Sequence, residues 1–185
     1  CTYGGQDIKI SDERFEYGRN FANKLWNASR FVRMNLTIDE IKLPEESKLA
    51  LEDKWILTKF NELTRSVVNN LDNFEVGVAL AEIYSFTWDI FCDWYIELAK
   101  ARFNEKDTEA NLTCQNVIAY VLCGTLKLLH PFMPFITEEI YQALPHACES
   151  IMIDSYPEYD ASLSFAEDAE KMTKIIDAIT AIRAR

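Results

Sequence analysis

The chain has 185 residues, enough for one to one and a half domains, and its 49% hydrophobic and 26% charged residues exclude a disordered or collagen-like polypeptide. With 19 Lys and Arg against 30 Asp and Glu, the formal net charge is −11; this argues against promiscuous binding of polyanions but leaves room for a local basic face. Only five Gly and five Pro, with long runs free of both, point to helices, and charges interrupt every apolar stretch before about 18 residues, so no membrane span is expected.

The chain starts at Cys1 without a secretory leader and stops inside an apolar-periodic stretch at Arg185, as a piece of a longer protein would. Its five cysteines (Cys1, Cys92, Cys114, Cys123 and Cys148) are odd in number and contain no C-x-x-C pair, which suits a reducing, cytoplasmic location.

Apolar periodicity predicts a first helix over 11–35, with Ser11 as N-cap and Asp12 and Glu13 at the positive end of its dipole. A connection containing Pro44 follows. Leu51, Trp55, Ile56, Phe60, Leu63 and Val67 mark a second helix over about 48–72. Asn73 is expected to cap a third, over 74–104, whose apolar residues (Phe74, Phe86, Trp88, Phe91, Trp94, Tyr95 among them) cover too much of the circumference for a surface helix. After a polar loop at 104–112, a fourth helix is expected over 113–130. A fifth opens at Pro134 and runs to Leu144 with Phe135, Ile136, Ile140 and Tyr141 inward. The stretch 145–163 reads as an irregular acidic connection with one extended piece at 151–153. Ser164 and Glu167 have capping-box spacing before a sixth helix striped by Phe165, Ala169, Met172, Ile176, Ile179 and Ile182. The fold class is all-α, a bundle of about six helices.

Catalytic and metal signatures are absent from this sequence. Only His130 and His146 occur, neither three residues after a Glu, and there is no H-E-x-x-H, zinc ribbon, G-x-S-x-G, Walker A or G-x-G-x-x-G. Glu138 and Glu139 diverge by about 100° on a helix and read as solvated surface. No catalytic residue, metal site or cofactor is therefore expected in this piece.

Charge is segregated along the chain. Between Tyr17 and Asn35 there are four cations (Arg19, Lys24, Arg30, Arg33) and no acid; between Pro145 and Glu170 there are seven acids and no Lys or Arg. On a wheel of the first helix, Phe21, Leu25, Ala28 and Val32 form the core face. Asn20, Lys24, Asn27 and Phe31 share a second arc, with Arg19, Asn23 and Arg30 beyond it. Such a set can read unpaired bases: an aromatic ring stacks, amides bond base edges, and cations hold phosphate. Spacing alone favours the plainer alternative, in which Phe31 packs on a neighbouring helix and the amides are ordinary surface.

Four segments resemble the anticodon-binding helical domain of valyl-tRNA synthetases, in order and spacing: GRNFANKLWNASRFV (18–32), DKWILTKFNEL (53–63), FTWDIFCDWYIELAK (86–100) and LKLLHPFMPFITEEIYQALP (126–145). Isoleucyl and leucyl relatives share the bundle and part of the His-Pro-x-x-Pro-Phe turn, but not the first-helix string. The resemblance implies a tRNA anticodon-recognition domain at 11–163, preceded by a link at 1–10 from a catalytic domain and followed at 164–185 by a helix leading to a C-terminal arm. It implies tRNA with a valine anticodon as partner, and a parent that uses ATP and Mg for aminoacylation through HIGH and KMSKS signatures that this piece lacks. Lys24, Asn27 and Phe31 match positions facing the anticodon loop, with Asn20, Asn23 and Arg30 beside them and Lys9 at a position that tends to be basic. Phe31 is then expected to stack on a flipped base, Lys24 and Arg30 to hold phosphate or base edges, and Asn20 and Asn27 to read polar edges. The different-class alternative is a helical protein-interaction scaffold without tRNA selectivity. The His130–Phe135 turn is expected to be structural, with its two Phe rings in the core.

Overall fold

The computed structural model describes residues 12–106 and 108–183. Seven α-helical segments form six rods: α1 (Asp12–Asn35), α2 (Leu51–Asp72), α3 (Val76–Ser85), α4 (Ile96–Phe103), α5 (Glu109–Leu129), α6 (Pro134–Gln142) and α7 (Ala166–Arg183). A π-helical stretch, Phe86–Tyr95, joins α3 to α4 as one rod. Among the described residues there is no strand, and the architecture is the all-α bundle expected.

α5 is the central rod. Cys114, Val117, Ile118, Ala119, Val121, Leu122, Leu126, Leu128 and Leu129 are buried around most of its circumference, as befits a helix enclosed by others. By length and composition alone it could cross a membrane, but 72% of its most apolar stretch is buried within the bundle. It begins at Glu109, earlier than expected, because the Thr108 side chain accepts from Asn111 N–H at 3.1 Å and caps the first turn. α2 lies against α5, α3 and α7 through Trp55, Ile56, Phe60, Leu63 and Val67. α1 contributes Phe21, Leu25, Ala28 and Val32, the core face read from the wheel, and packs on α5, α6 and the π-helical stretch.

The joint between α2 and α3 departs from expectation. Asn73 ends α2 instead of capping the next helix. Phe74 follows with φ +59°, and its N–H donates to Leu71 O at 3.0 Å while Glu75 N–H donates to Asn70 O at 2.7 Å. This is the Schellman closure, in which a left-handed residue lets the chain satisfy the last carbonyls. The Phe74 ring, expected in the core, is 90% exposed as a result.

The π-helical stretch has a side-chain logic. Hydrogen bonding to the fifth residue aligns positions five apart, and Phe86, Phe91 and Ile96 are all buried. Its last residue, Tyr95, is fully buried and donates from its hydroxyl to Asp53 Oδ1 at 2.7 Å. Arg102 binds the same carboxylate through both terminal nitrogens at 2.6 Å, and its Nε lies 3.2 Å from a Glu52 oxygen without hydrogen-bond alignment. Asp53 also accepts from Ala50 N–H at 3.1 Å. One buried carboxylate thus closes the start of α2 and clamps α4 to it. Burial pushes the Tyr95 hydroxyl up first, and the Asp53 charge pushes it further; for Arg102, Asp53 more than offsets the effect of burial.

Three further expectations are corrected in the second half. α6 ends at Gln142, and Phe135 on its first turn is 91% exposed, so only Phe132 of the two turn phenylalanines packs against the core. The reason is phase: Thr137, Ile140 and Tyr141 take the inward face, leaving position 135 outside. Residues 151–153 form a 3-10 turn rather than an extended piece, with Ser150 accepting from Met152 N–H, and a second such turn occupies Ala161–Leu163. Ser164 does not cap α7, which starts at Ala166. Its hydroxyl instead accepts from the Asn61 amide at 3.1 Å, while Thr58 Oγ1 accepts from Phe165 N–H at 2.9 Å, pinning the approach to α7 onto α2. Ser11, the expected cap of α1, lies outside the described residues.

Candidate nucleic-acid interface

α1 has an acidic first turn (Asp12, Glu13) and Arg33 in its last, matching its dipole. With its apolar stripe buried, the opposite side forms an outward ridge. Asn20, Asn23, Asn27 and Arg30 are exposed on it, at spacings of three, four and three residues that keep them on one face. Met34, exposed, continues the line one turn on. Three amides offer both donors and acceptors, and Arg30 offers a planar fork of donors. Among the described residues, no carboxylate lies within ion-pair distance of Arg30 or Arg33, whereas Arg19 sits 3.6 Å from Glu16.

Lys24 and Phe31 occupy a different position. Both are half-buried at the seam between α1 and the rod that carries the π-helical stretch. The Lys24 ammonium lies 3.8 Å from the centre of the Trp88 ring and 2.6 Å from Asp93 Oδ1, a cation held by an indole face and a carboxylate together. Phe31 meets Phe103 edge-on at 5.9 Å, with the Lys100 ammonium 5.7 Å from its ring centre. Towards the start of α1 the seam continues as a stack: Tyr17 on Tyr84 at 4.8 Å, Phe21 on Tyr84 at 4.7 Å, and Tyr84 on Trp88 at 5.7 Å. Burial and the hydrogen bond with Tyr17 push the Tyr84 hydroxyl well above its ordinary range. Lys9 lies outside the described residues.

The structure therefore brings Asn20, Asn23, Asn27 and Arg30 together as an exposed ridge and sets Lys24 and Phe31 on its flank. The single arc read from the wheel splits because the neighbouring rod covers one side of it. Trp88, Asp93 and Phe103, which hold the flank, carry no signal in a 3.6-residue pattern, since a π-helical stretch shifts the phase of everything after it. On the opposite flank, Trp26, Ser29, Arg30 and Arg33 of α1 face Glu139, Ile140, Ala143 and Leu144 across a groove of about 250 Å³. In the sequence Arg33 stands only as one of four cations of the first helix, and Trp26 is not singled out. Their spacing with Arg30, at i, i+4 and i+7, is the pattern that could have found them.

Other parts of the molecule offer less. A larger hollow of about 580 Å³ is lined by Phe60, Tyr120, Lys127, Tyr141, Asp154 and Tyr156, among others. Its one lysine is already paired: Lys127 is 2.8 Å from Asp154 Oδ2, which also accepts from the Tyr141 hydroxyl at 2.6 Å. Burial pushes the thiols of Cys92, Cys114 and Cys123 up to about 12, leaving them protonated and unreactive at neutral pH. The His130 ring is buried against Thr137 Oγ1 at 2.7 Å. Among the described residues, no cluster of three His, Cys, Asp or Glu could hold a metal ion.

A family model described as the anticodon-binding domain of tRNA ligase matches residues 53–185. The chain is 48% identical over 182 residues to the valine–tRNA ligase of Bacillus cereus strain ATCC 10987, and 47% identical to those of Bacillus anthracis and Geobacillus stearothermophilus. Each match covers 97% of this chain, and the chain spans only 20% of the length of these relatives. Among solved structures, the Agrobacterium radiobacter K84 agnB2 LeuRS, in a ternary complex with tRNA and LeuAMS, superposes with a TM-score of 0.64 at 19% identity. It covers 86% of this chain and 18% of its own, a likeness of fold. The chain belongs to the anticodon-binding domain family of tRNA ligases.

Proposed function

We propose that this chain is the anticodon-recognition domain of a valine–tRNA ligase, and that the α1 ridge is the surface that meets the anticodon loop. The observation that carries the reading is the ridge itself. Three exposed amides and an arginine that has no carboxylate partner among the described residues lie in line on one helix, in a protein whose net charge is −11. Asn20, Asn23 and Asn27 would read base edges and Arg30 a phosphate or a purine edge, because unpaired bases expose their Watson–Crick edges to such groups. Phe31 is proposed as a stacking partner at the ridge's edge, Lys24 as the neighbouring cation, and Lys9, on resemblance alone, as a further basic contact.

The domain performs no bond-making step in this reading. ATP-dependent aminoacylation, with Mg, belongs to a catalytic domain elsewhere in the same polypeptide, and the bundle supplies positioning and selectivity. Residues 1–10 would link it to that domain, 11–163 would form the recognition bundle, and 164–185 would lead to a C-terminal arm. A wrong anticodon base leaves polar groups unpaired at about 1–3 kcal/mol each.

The test is a titration of the chain with a valine-accepting tRNA and with the same tRNA carrying a substituted anticodon, at two salt concentrations. The native anticodon should bind more tightly. Asn27→Ala should abolish that preference, and Arg30→Gln should weaken both complexes and flatten the salt dependence. Equal binding of the two RNAs by the unaltered chain, with a steep salt slope, would reduce the ridge to a surface that touches backbone only.

A further inference from the structure

The α1/α6 groove lies on the far side of the ridge from Lys24 and Phe31, and its composition differs from that of the ridge. One wall carries Trp26, whose indole is 45% exposed, together with Arg30 and Arg33. The other wall is apolar at Ile140, Ala143 and Leu144 and bears one acceptor, Glu139. Neither arginine has a carboxylate within 4.0 Å among the described residues, even though Glu139 lines the same groove. Two uncompensated guanidiniums beside a half-exposed indole are out of keeping with a protein of net charge −11. Such a site attracts an anion that also carries a planar ring.

The groove's size narrows the class of occupant. About 250 Å³ is below the range of pockets that bury a drug-sized molecule. It suits one flat ring system. We infer that the groove is a second nucleotide subsite, in which one unpaired base of the bound RNA lies on the Trp26 indole while Arg30 and Arg33 hold its phosphate. Stacking on an aromatic face tolerates any base, since every base has a π surface. Glu139 adds a preference: a carboxylate accepts from exocyclic amines, as on cytosine, and repels phosphate. The base therefore points towards α6 and the phosphate towards the exposed end of α1. Arg30 is shared between ridge and groove, which makes the two surfaces continuous.

This subsite rests on the proposed anticodon reading, and the test separates the two. The full chain is titrated with a valine-accepting tRNA transcript using Trp26→Ala, Trp26→Phe, Arg33→Gln, Asn27→Ala and, as a control on the same α6 helix but outside the groove lining, Phe135→Ala. Trp26→Ala should weaken binding at least about 5-fold, and Trp26→Phe, which keeps a ring, should recover most of the loss. Arg33→Gln should weaken binding and lower the slope of log affinity against log salt by about 0.7, the value for one lost phosphate contact on a single strand. Phe135→Ala should leave binding unchanged, and thermal melting should show the folded state in each variant. If Asn27→Ala weakens binding while Trp26→Ala and Arg33→Gln bind as the unaltered chain does, the subsite is overturned and the anticodon reading stands. If those two variants keep full RNA binding but loosen contact between the domain and the rest of a full-length ligase, the groove is a protein contact and the subsite is likewise overturned. If the unaltered chain does not bind the tRNA, both readings fall.

Discussion

Lys24 shows how far a residue's role depends on its neighbours. Read from spacing it is a cation beside two amides; in the structure its ammonium is already held by Asp93 at 2.6 Å and by the Trp88 ring at 3.8 Å. The pair is only partly shielded from solvent, so it contributes less than about 1 kcal/mol to stability. Asp93→Asn releases the ammonium while leaving it on the indole. That variant should bind valine-accepting tRNA more tightly and with a steeper salt slope, whereas Lys24→Ala should bind less tightly. If Asp93→Asn binds unchanged, Lys24 is a tether between α1 and the π-helical stretch and has no RNA contact. Gly124 teaches the same lesson in the core. A Cβ at this position would lie 2.2 Å from Phe60 Cζ, so the glycine lets α5 approach α2 closely. Gly124→Ala should lower stability by about 1–3 kcal/mol, the usual range for overpacking. Adding Phe60→Leu should return part of that loss in a denaturant titration, because the smaller side chain vacates the contested space. Recovery of nothing would mean that α5 itself has shifted.

Elements were legible where their pattern is self-contained and illegible where a partner sets the phase. The core stripe of α1, the buried residues of α2 and the proline start of α6 follow from periodicity and helix-end chemistry. That Asn20, Asn23, Asn27 and Arg30 lie away from the core stripe follows in the same way, but their grouping into one ridge does not, because the wheel sets Asn20 and Asn27 on an arc with Lys24 and Phe31. The half-burial of Lys24 and Phe31 does not, since it depends on where a π-helical stretch places Trp88, Asp93 and Phe103. The α2–α3 joint failed for a related reason: a left-handed residue there is normally glycine, and this chain has Phe74, which reads as the start of an apolar helix. That mismatch gives a prediction for the joint. Left-handed geometry costs a side-chain-bearing residue about 1–2 kcal/mol, and a ring that is 90% exposed returns little by burial. Phe74→Gly removes the local cost but adds entropy to the unfolded chain, worth about 0.4–1 kcal/mol in the opposite direction. The net expectation is a stabilisation of up to about 1.6 kcal/mol, seen as a rise in melting temperature. A fall would show that the ring contributes packing after all.

For the molecule as a whole, the weakest-looking part is the irregular run between α6 and α7, yet polar contacts staple it to three helices. Asp154 joins Lys127 of α5 to Tyr141 of α6, Asn61 of α2 exchanges two hydrogen bonds with Asp160, and Asp168 at the start of α7 sits 3.2 Å from Lys54 of α2. The acids that dominate the sequence from Pro145 to Glu170 are therefore partly structural. Burial raises the Asp154 carboxyl, but hydrogen bonds from Lys127 and Tyr141 more than offset this and hold it below its usual value of 3.8. Hydrogen bonds from Lys171 and Lys54 hold Asp168 below the same value. A carboxyl that binds its proton less readily when folded stabilises the fold above its ordinary value, and that contribution disappears as pH falls through the lowered one. The bundle should therefore keep the contribution of these carboxyls from neutral pH down to about 5 and lose it progressively below about 4. Asp154→Asn keeps an acceptor for Tyr141 but discards the charge that Lys127 needs. Its melting temperature should lie below that of the unaltered chain at pH 7, and the two curves should converge as pH falls through the lowered value of the Asp154 carboxyl, where its charge is lost. Parallel curves across that range would mean that the staple is held by packing of Tyr141 and Ile151 rather than by the ion pair, and that the acid sensitivity arises elsewhere.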